Sequence, residues 1–566
     1  MRTRSVYLIF LGIFSFIVLG LFYAQVIRGN HYSRLSYHNY IRIFPEEGIR
    51  GRILDKDNRL IAENQVSFDC YVNLRQTGDE VISFLSRHLD LSKQEIKRKI
   101  KRNLKSQDLP VLIYKGLSKE KAFLIKENSL SYPAVLVKFN HSRFYPYAEA
   151  TSHISGYLGQ ISKSLITKLK DYGYSTQDFI GYGGVEQAMD KFLRSESGGS
   201  QIQVDSRGRQ IALLGFKAAN DGLDVRLTVD VRMQTIAYNV LKKYKGAIVI
   251  LEPDTGKVLA MVSSPAFDAN VFIQGKDSHK ISEILTDKNS CLLNRAISAS
   301  YPPASIFKLV VASSGLDNNK ISLEDTFNCN GALRIGNRSF SCSGVHGVQN
   351  LEDAIANSCN VFFYNLGLRI GARAIIEAAH RFRLGKKTGI DLPYEVSGFL
   401  PSLLSNKLLL KKWYSGDTAN ISIGQGELLV TPLQAARLIS IFANYGKLVK
   451  PYIIESIAGV DNFLPQVTKL DFEKNVIATV RSALRRTVTD TNGTAKIMNM
   501  NRLSVAGKTG TAQVGNKRSH GWFVGFAPYD EPKIAFCVFL ENAGSSYRSC
   551  QVARKMLELF IKENLL

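Results

Sequence analysis

Gly246-Ala247-Ile248-Val249-Ile250-Leu251-Glu252-Pro253-Asp254-Thr255-Gly256-Lys257-Val258-Leu259-Ala260-Met261-Val262 is the stretch that decides the fold. Two apolar runs of strand length flank a turn made of Pro, Asp and Gly, so it reads as a β-hairpin. A second hairpin stands near the end of the chain. There Gly521-Trp522-Phe523-Val524-Gly525-Phe526-Ala527 and Ile534-Ala535-Phe536-Cys537-Val538-Phe539-Leu540 flank Pro528-Tyr529-Asp530-Glu531-Pro532-Lys533. A helix over Ser549–Lys562 follows. Upstream, Val225–Val229 alternates like a strand, and Asp230 caps a predicted helix over Val231–Lys243. Strands at both ends with helices between them predict an α+β domain over 225–566. Its central antiparallel sheet, flanked by helices, would join the two ends of the segment.

Working outward, Val6–Ile27 holds 22 consecutive residues without Asp, Glu, Lys or Arg. At about 1.5 Å per residue they span about 33 Å, one bilayer crossing. No small-x-small cleavage site follows, so the segment reads as a retained anchor. Arg2 and Arg4 predict that residues 1–5 stay in the cytoplasm and the bulk lies outside it, in the periplasm or extracytoplasmic space. This changes the meaning of the charge. The chain of 566 residues carries 73 basic and 49 acidic side chains, a net +24. Such an excess usually points to an anionic partner, but the anchor argues against nucleic acid and leaves a membrane surface or an acidic polymer. Seven cysteines are too few for a disulfide scaffold and cannot all pair within the chain.

Between anchor and domain, after a juxtamembrane stretch His31–Phe44 rich in Tyr and Arg, Arg50-Gly51-Arg52-Ile53-Leu54-Asp55 and Lys56-Asp57-Asn58-Arg59-Leu60-Ile61-Ala62 read as strand, turn, strand. The basic stretch 91–105 carries Ile96, Ile100 and Leu104 at helical spacing, which predicts a solvated helix with one packed face. Gly181-Tyr182-Gly183-Gly184-Val185-Glu186 lacks dinucleotide spacing and reads as a turn opening a helix over Val185–Leu193. Asn492-Gly493-Thr494 matches a glycosylation sequon but reads as a turn.

Chemistry concentrates in three short motifs inside the last domain. In Pro303-Ala304-Ser305-Ile306-Phe307-Lys308 a helix opened by Ser305 puts Lys308 on the same face. A neutral amine there accepts the hydroxyl proton, and a charged one stabilises the alkoxide. Ser358-Cys359-Asn360 can turn its Ser and Asn into one cleft to relay protons with the lysine. Lys508-Thr509-Gly510-Thr511 reads as a strand edge where Gly510 admits a substrate backbone and the lysine and threonines bind a peptide carboxylate. In this order, S-x-x-K, S-x-N and K-T-G mark penicillin-interacting serine enzymes.

On these motifs the chain resembles the class B penicillin-binding proteins over nearly its whole length. Arg50–Asp55, Arg143-Phe144-Tyr145-Pro146, His153-Ile154-Ser155-Gly156-Tyr157-Leu158-Gly159 and Gly184-Val185-Glu186 are similar to the family's pedestal. The stretch Gly416-Asp417-Thr418-Ala419-Asn420-Ile421-Ser422-Ile423-Gly424-Gln425-Gly426, with Thr431-Pro432-Leu433-Gln434, is similar to the elongation branch more than to the septal one. The resemblance implies an N-terminal transmembrane helix (6–27), an elongated mixed pedestal of dimerisation type (28–224) and a penicillin-binding transpeptidase domain (225–566). It implies D,D-transpeptidation of D-Ala-D-Ala stem peptides through a serine acyl-enzyme, inhibited by β-lactams, with a SEDS-family glycosyltransferase and the elongation complex as partners at the cytoplasmic membrane. Ser305 would be the nucleophile, Lys308 its base, Ser358 and Asn360 the second motif, and Lys508, Thr509, Gly510 and Thr511 the substrate-flanking strand. The backbone N–H groups of Ser305 and Thr511 would form the oxyanion hole. Ala304 stands where the family often has glycine. The alternatives are a septal transpeptidase, a β-lactam-acylated sensor or resistance protein, and a scaffold with a decayed site.

Cys329, Cys342, His346 and Cys359 follow one another with 12, 3 and 12 residues between them. Three thiolates and an imidazole fit a closed, structural zinc site, and some elongation-type members hold zinc at corresponding places with Asp, His and Cys. No cofactor is needed for the chemistry itself. A Cys329–Cys342 disulfide and buried free thiols are the other readings. Cys70, Cys291, Cys537 and Cys550 show no ligand spacing, and Cys537 reads as core. His520 reads as a satisfied strand-end histidine, with a place in the cleft as the rival.

Overall fold

The uncharged run folds as helix over Arg2–Phe22, continued by a wider π-type turn over Tyr23–Ile27, and none of the Val6–Ile27 span is buried. The computed structural model describes residues 2–30, 32, 41–46, 48–74, 77–102, 110–128, 131–161, 179–204, 210–274, 278–402, 413–461 and 464–566. They form two compact units. One comprises Met1–Gly51, Val66–His141 and Arg194–Leu223; the other comprises Arg52–Gln65, Ser142–Leu193 and Asp224–Leu566.

The first unit has its own core, made by Cys70, Val72, Leu85, Leu89, Val111, Ile113 and Ile125. Helix Asp79–Leu89 feeds it at Val81, Ile82, Leu85 and Leu89, the spacing of an amphipathic face. The basic helix expected over 91–105 spans Lys93–Arg102. It buries Ile96 and packs Ile100 partly, while its exposed positions are charged apart from the polar Gln94. Positions 103–105, with Leu104, lie outside the described residues, as does most of His31–Phe44. Ile41–Glu46, Gly198–Val204 and Gln210–Lys217 make a three-stranded antiparallel sheet.

The second unit is built on β1 (Gly246–Leu251), β2 (Val258–Ser264), β3 (Ala506–Val514), β4 (Lys517–Ala527) and β5 (Ile534–Leu540). Their order is β2-β1-β5-β4-β3, antiparallel throughout, so the two hairpins of the sequence join through β1 and β5. Alternate residues enter different cores. Ile248, Ile250, Phe523, Phe536 and Val538 face one, while Ala247, Val249, Trp522, Val524, Cys537 and Phe539 face the other. A sheet buried on both faces needs apolar residues at every position, which is why β1 and β5 read as unbroken runs. Helices α1 (Val231–Leu241) and α5 (Ser546–Lys562) cover one face through Ala237, Leu241, Met556, Leu557 and Phe560. On the other lies α4 (Pro432–Ala443), buried at all its residues and started by a capping box between Thr431 and Gln434.

Element ends differ from expectation where a distant partner intervenes. The strand begun at Val225 ends at Leu227, because the Thr228 hydroxyl turns to the Val258 carbonyl. Asp230 caps α1 as expected, but the helix stops at Leu241. Helix α5 starts at Ser546 rather than Ser549, because Thr511 Oγ1 accepts from the Ser546 N–H. The helix expected over Val185–Leu193 is two turns, Gly184–Ala188 and Asp190–Leu193, and Asp190 accepts from the Gly181 N–H.

From Arg52 onward the first of the resemblance motifs, and those within 142–193, belong to this same second unit. Ile53–Leu54 runs parallel to Val225–Leu227, and Arg52 grips Asp224 with its backbone N–H (2.6 Å), Nε (3.0 Å) and Nη2 (2.6 Å). Arg143 and Glu186 form a buried pair at 2.7 Å, to which the Tyr145 hydroxyl adds a 3.1 Å hydrogen bond. Ile61, Tyr145, Ile154 and Val185 share one hydrophobic core with Val249 and Phe307.

Candidate active site

Ser305 lies half-buried in a 3-10 turn, Ala304–Phe307, and Lys308 opens helix α2 (Lys308–Asp317) directly after it. Leu309, Val310, Val311 and Ala312 are all buried, so the helix is fixed under the site. Ala304 holds φ +50°, a conformation that costs a residue with a Cβ. Its N–H donates to the Gly424 carbonyl at 2.9 Å. Gly424 itself has φ +71°, and a Cβ there would sit 2.1 Å from the Ala304 oxygen. Only glycine admits this approach, which explains Gly424. Behind the turn, the buried Trp522 indole donates to the Pro302 carbonyl at 3.0 Å, and Tyr301 pairs with Val430 through both backbone groups.

Lys308 is fully buried, and its Nζ gathers the second motif. It donates to the Ser358 carbonyl (2.7 Å) and to Asn360 Oδ1 (2.7 Å), and lies 3.3 Å from Ser358 Oγ. Ser358, at φ +55°, and Cys359 lead into helix α3 (Asn360–Ile370), which Cys359 caps by accepting from the Phe362 N–H. Burial draws the Lys308 amine down to about 7, against an opposing pull from Cys342 and Cys359. Among the described residues the Ser305 hydroxyl has no hydrogen-bond partner, so the Lys308 amine is set on the second motif and the Ser305 oxygen stands open.

The third motif lies on β3. Lys508 is fully buried; burial and the nearby Lys308 charge push its amine well below the ordinary lysine range. A Cβ at Gly510 would lie 3.2 Å from the Pro303 carbonyl, so the glycine lets β3 lie against the Ser305 turn. Thr509 Oγ1 donates to Thr494 Oγ1 at 2.8 Å, and Thr511 Oγ1 to Ser546 Oγ at 3.2 Å. All three motifs thus meet around one turn. Thr494, Ser546, Trp522 and Gly424 also support the site, and sequence reading does not single them out. Thr494 stands in the Asn492–Thr494 turn, where its position in the sequence carries no hint of Thr509. His520 Nδ1 accepts from the Asn542 N–H at 2.9 Å with its ring edge-on to Tyr301, which is the satisfied strand-end role.

Beside the second motif, Cys329, Cys342, His346 and Cys359 bring one donor atom each within 4.8 Å of one another. His346 Nδ1 is 3.5 Å from both Cys329 Sγ and Cys342 Sγ, and Cys342 Sγ is 4.0 Å from Cys359 Sγ. The four therefore form a cluster able to bind a metal. All seven cysteines are free, and Cys537 is in the core of β5 as expected.

The penicillin-binding protein transpeptidase domain model matches residues 246–559, and the penicillin-binding protein dimerisation domain model matches 45–227. The peptidoglycan D,D-transpeptidase MrdA of Haemophilus influenzae is 30% identical over 100% of this chain and 92% of its own. The penicillin-binding protein PBP2 of Helicobacter pylori, solved in complex with MreC, superposes with a TM-score of 0.83 at 25% identity, covering 93% of this chain and 99% of that one. A solved structure described as coordinating polymerization and crosslinking by a peptidoglycan synthase complex superposes with a TM-score of 0.76 at 27% identity, over 98% and 97% of the two chains.

Proposed function

We propose, from the premise that this chain belongs to the class B penicillin-binding proteins of PBP2 type, that Ser305 is its acylated nucleophile and Lys308 its general base. The chain is an elongation-type peptidoglycan D,D-transpeptidase acting on D-Ala-D-Ala ends. The septal and sensor readings are not favoured.

One observation carries the assignment of roles: a buried amine with a value of about 7 that spans nucleophile turn and second motif. A neutral amine has two hydrogens, and the Ser358 carbonyl and Asn360 Oδ1 can only accept them. Its lone pair is then free for a proton. Ser305 Oγ attacks the carbonyl carbon of the penultimate D-Ala, and its proton passes to Lys308. The C–N bond to the terminal D-Ala breaks, and the amine leaves with that proton. The amine of a neighbouring stem then attacks the ester, and the proton it loses returns to Ser305 through Lys308 and Ser358. The N–H groups of Ser305 and Thr511 hold the oxyanion, and Lys508, Thr509, Gly510 and Thr511 hold the peptide's terminal carboxylate and backbone. Incubating the full chain with a fluorescent penicillin beside Ser305→Ala tests this. Stable label is expected on the wild type alone; an unlabelled wild type, or a labelled variant, sinks the assignment.

The cysteine cluster is assigned as a structural zinc site. Around a tetrahedral zinc with bonds of about 2.3 Å to sulfur and about 2.0 Å to nitrogen, neighbouring donors stand about 3.8 Å (S to S) and about 3.5 Å (S to N) apart. The separations of 4.0 and 3.5 Å fit. The ion would supply no chemistry to the acyl transfer; it would tie the loop 329–346 to Cys359.

Residues 28–224 are assigned as the pedestal and 225–566 as the transpeptidase domain, with residues 1–5 in the cytoplasm. The protein is read as single-pass in the cytoplasmic membrane with a SEDS-family glycosyltransferase as partner. Co-purification of the two from solubilised membranes is the check, and its failure under cross-linking removes the partner.

A further inference from the structure

The second unit holds a cavity of about 320 Å³, at the small end of ligand sites. It lies outside the Ser305 turn and its three motifs. Its wall includes His153, Tyr157, Tyr182, Phe267, Asn294 and Tyr394, and among the described residues no Asp, Glu, Lys or Arg lines it. Tyr157 is clamped between Phe272 (ring centres 3.9 Å apart) and Tyr182 (5.6 Å), with Phe267 edge-on. Tyr394 is 66% exposed and so presents an open ring face. Its backbone is held at φ +65°, while the next residue, Glu395, is anchored by the N–H groups of Thr388 and Gly389. A strained, anchored backbone that presents an exposed aromatic ring at a cavity mouth is the pattern of a ligand clamp.

Two polar groups define what the cavity accepts. His153 is only 8% exposed, and its Nε2 lies 2.8 Å from the Cys291 carbonyl. A carbonyl only accepts, so Nε2 carries the hydrogen. Burial holds the ring neutral, at about 4. Nδ1 therefore offers a lone pair, for which the described residues supply no donor. Asn294 uses its Oδ1 on the Ala296 N–H, which leaves its amide hydrogens as donors. The ligand must then donate one hydrogen bond, accept another and present a flat apolar face without charge. An acetamido sugar does all three. A stem peptide does not, because its ends carry charges that this wall leaves unmatched.

We propose that this cavity is a glycan subsite for a neutral N-acetylhexosamine of the substrate strand. The inference rests on the transpeptidase reading, which supplies a substrate whose backbone is made of such sugars. Asn294 and Ser298, both in the wall, belong to the stretch that runs on to Ser305. From Ser298 the nucleophile is seven residues on, at most about 25 Å of chain. A strand gripped here would hold its stem peptides within reach of the nucleophile.

The test titrates the full chain in detergent with N,N′,N″-triacetylchitotriose, a peptide-free trimer, and with cellotriose, which lacks the acetamido groups. Calorimetry should show binding of the first alone. Tyr394→Ala should weaken it about tenfold, the worth of one ring face, and Tyr394→Trp should restore it. Absence of binding, equal binding of cellotriose, or an unchanged Tyr394→Ala titration overturns the subsite. Labelling of Ser305 by fluorescent penicillin in the same wild-type sample separates the readings: label without sugar binding removes the subsite alone, and sugar binding without label removes the transpeptidase roles alone.

Discussion

The base role proposed for Lys308 depends on burial stripping its charge. An ordinary lysine near 10.5 is protonated at neutral pH and cannot act as a base; this one, drawn to about 7, is neutral in about half the molecules there. The sign follows directly. Below the value the amine is charged and the base is lost; above it the base is present. The second-order rate of acylation by penicillin should therefore rise about tenfold between pH 6 and pH 8 and then level, as the neutral fraction grows from about one-eleventh to about ten-elevenths. Lys308→Arg, always protonated, should slow acylation about 10²–10⁴-fold across the range. A wild-type rate flat from pH 6 to pH 8 contradicts the role. At this scale the sequence is informative about residue type and silent about conformation. Ser305, Lys308, Ser358 and Asn360 are readable as a set. The positive φ values of Ala304 and Ser358 are not, since neither is a glycine or an asparagine that would announce them.

The elements that carry these residues are legible where their signals are local. Turn chemistry at Pro253–Gly256 and the Asp230 cap mark β1, β2 and α1 within a residue or two at most ends. Ends set by a distant partner are not legible: Ser546 starts α5 because Thr511 meets it, and residues 142–161 and 179–193 join the core of the second unit through Tyr145, Ile154 and Val185. The short hairpin Ala332–Ile335 with Arg338–Ser341 belongs here too. It has few buried side chains, yet it leads straight to Cys342, whose Sγ accepts from the Asn360 N–H at 3.1 Å. A zinc on Cys329, Cys342, His346 and Cys359 would give this loop the rigidity that its own packing lacks, and would fix Asn360 through Cys342. Elemental analysis should find about one zinc per chain. Cys329→Ser should lose the metal and lower the melting midpoint, by about 1–2 °C per kcal/mol lost in a domain of this size. A metal-free wild type with two fewer titratable thiols would instead indicate a disulfide, and one with seven would leave plain buried cysteines.

For the molecule as a whole, the net charge of +24 and the single uncharged span have to be read together. An excess of lysine and arginine alone fits a nucleic-acid protein as well as a wall enzyme. The span removes that ambiguity only if the bulk lies outside the cytoplasm, and orientation is set by charge close to the span. Arg2 and Arg4 stand on one side, and Arg28 is the first charge on the other. Two against one is a narrow margin by the positive-inside rule, which counts residues within about 15–20 of the span's ends. The second side also carries Arg34 and Arg42 within that distance, so counting alone does not favour the assigned direction. The proposed function does: D-Ala-D-Ala ends are cross-linked outside the membrane, which would put Ser305 there. An alkaline phosphatase fused after Leu566, active only once exported, should therefore be active, and a green fluorescent protein fused before Met1 should fluoresce. An inactive phosphatase would place Ser305 on the wrong side of the membrane for its substrate, whatever the geometry of its site.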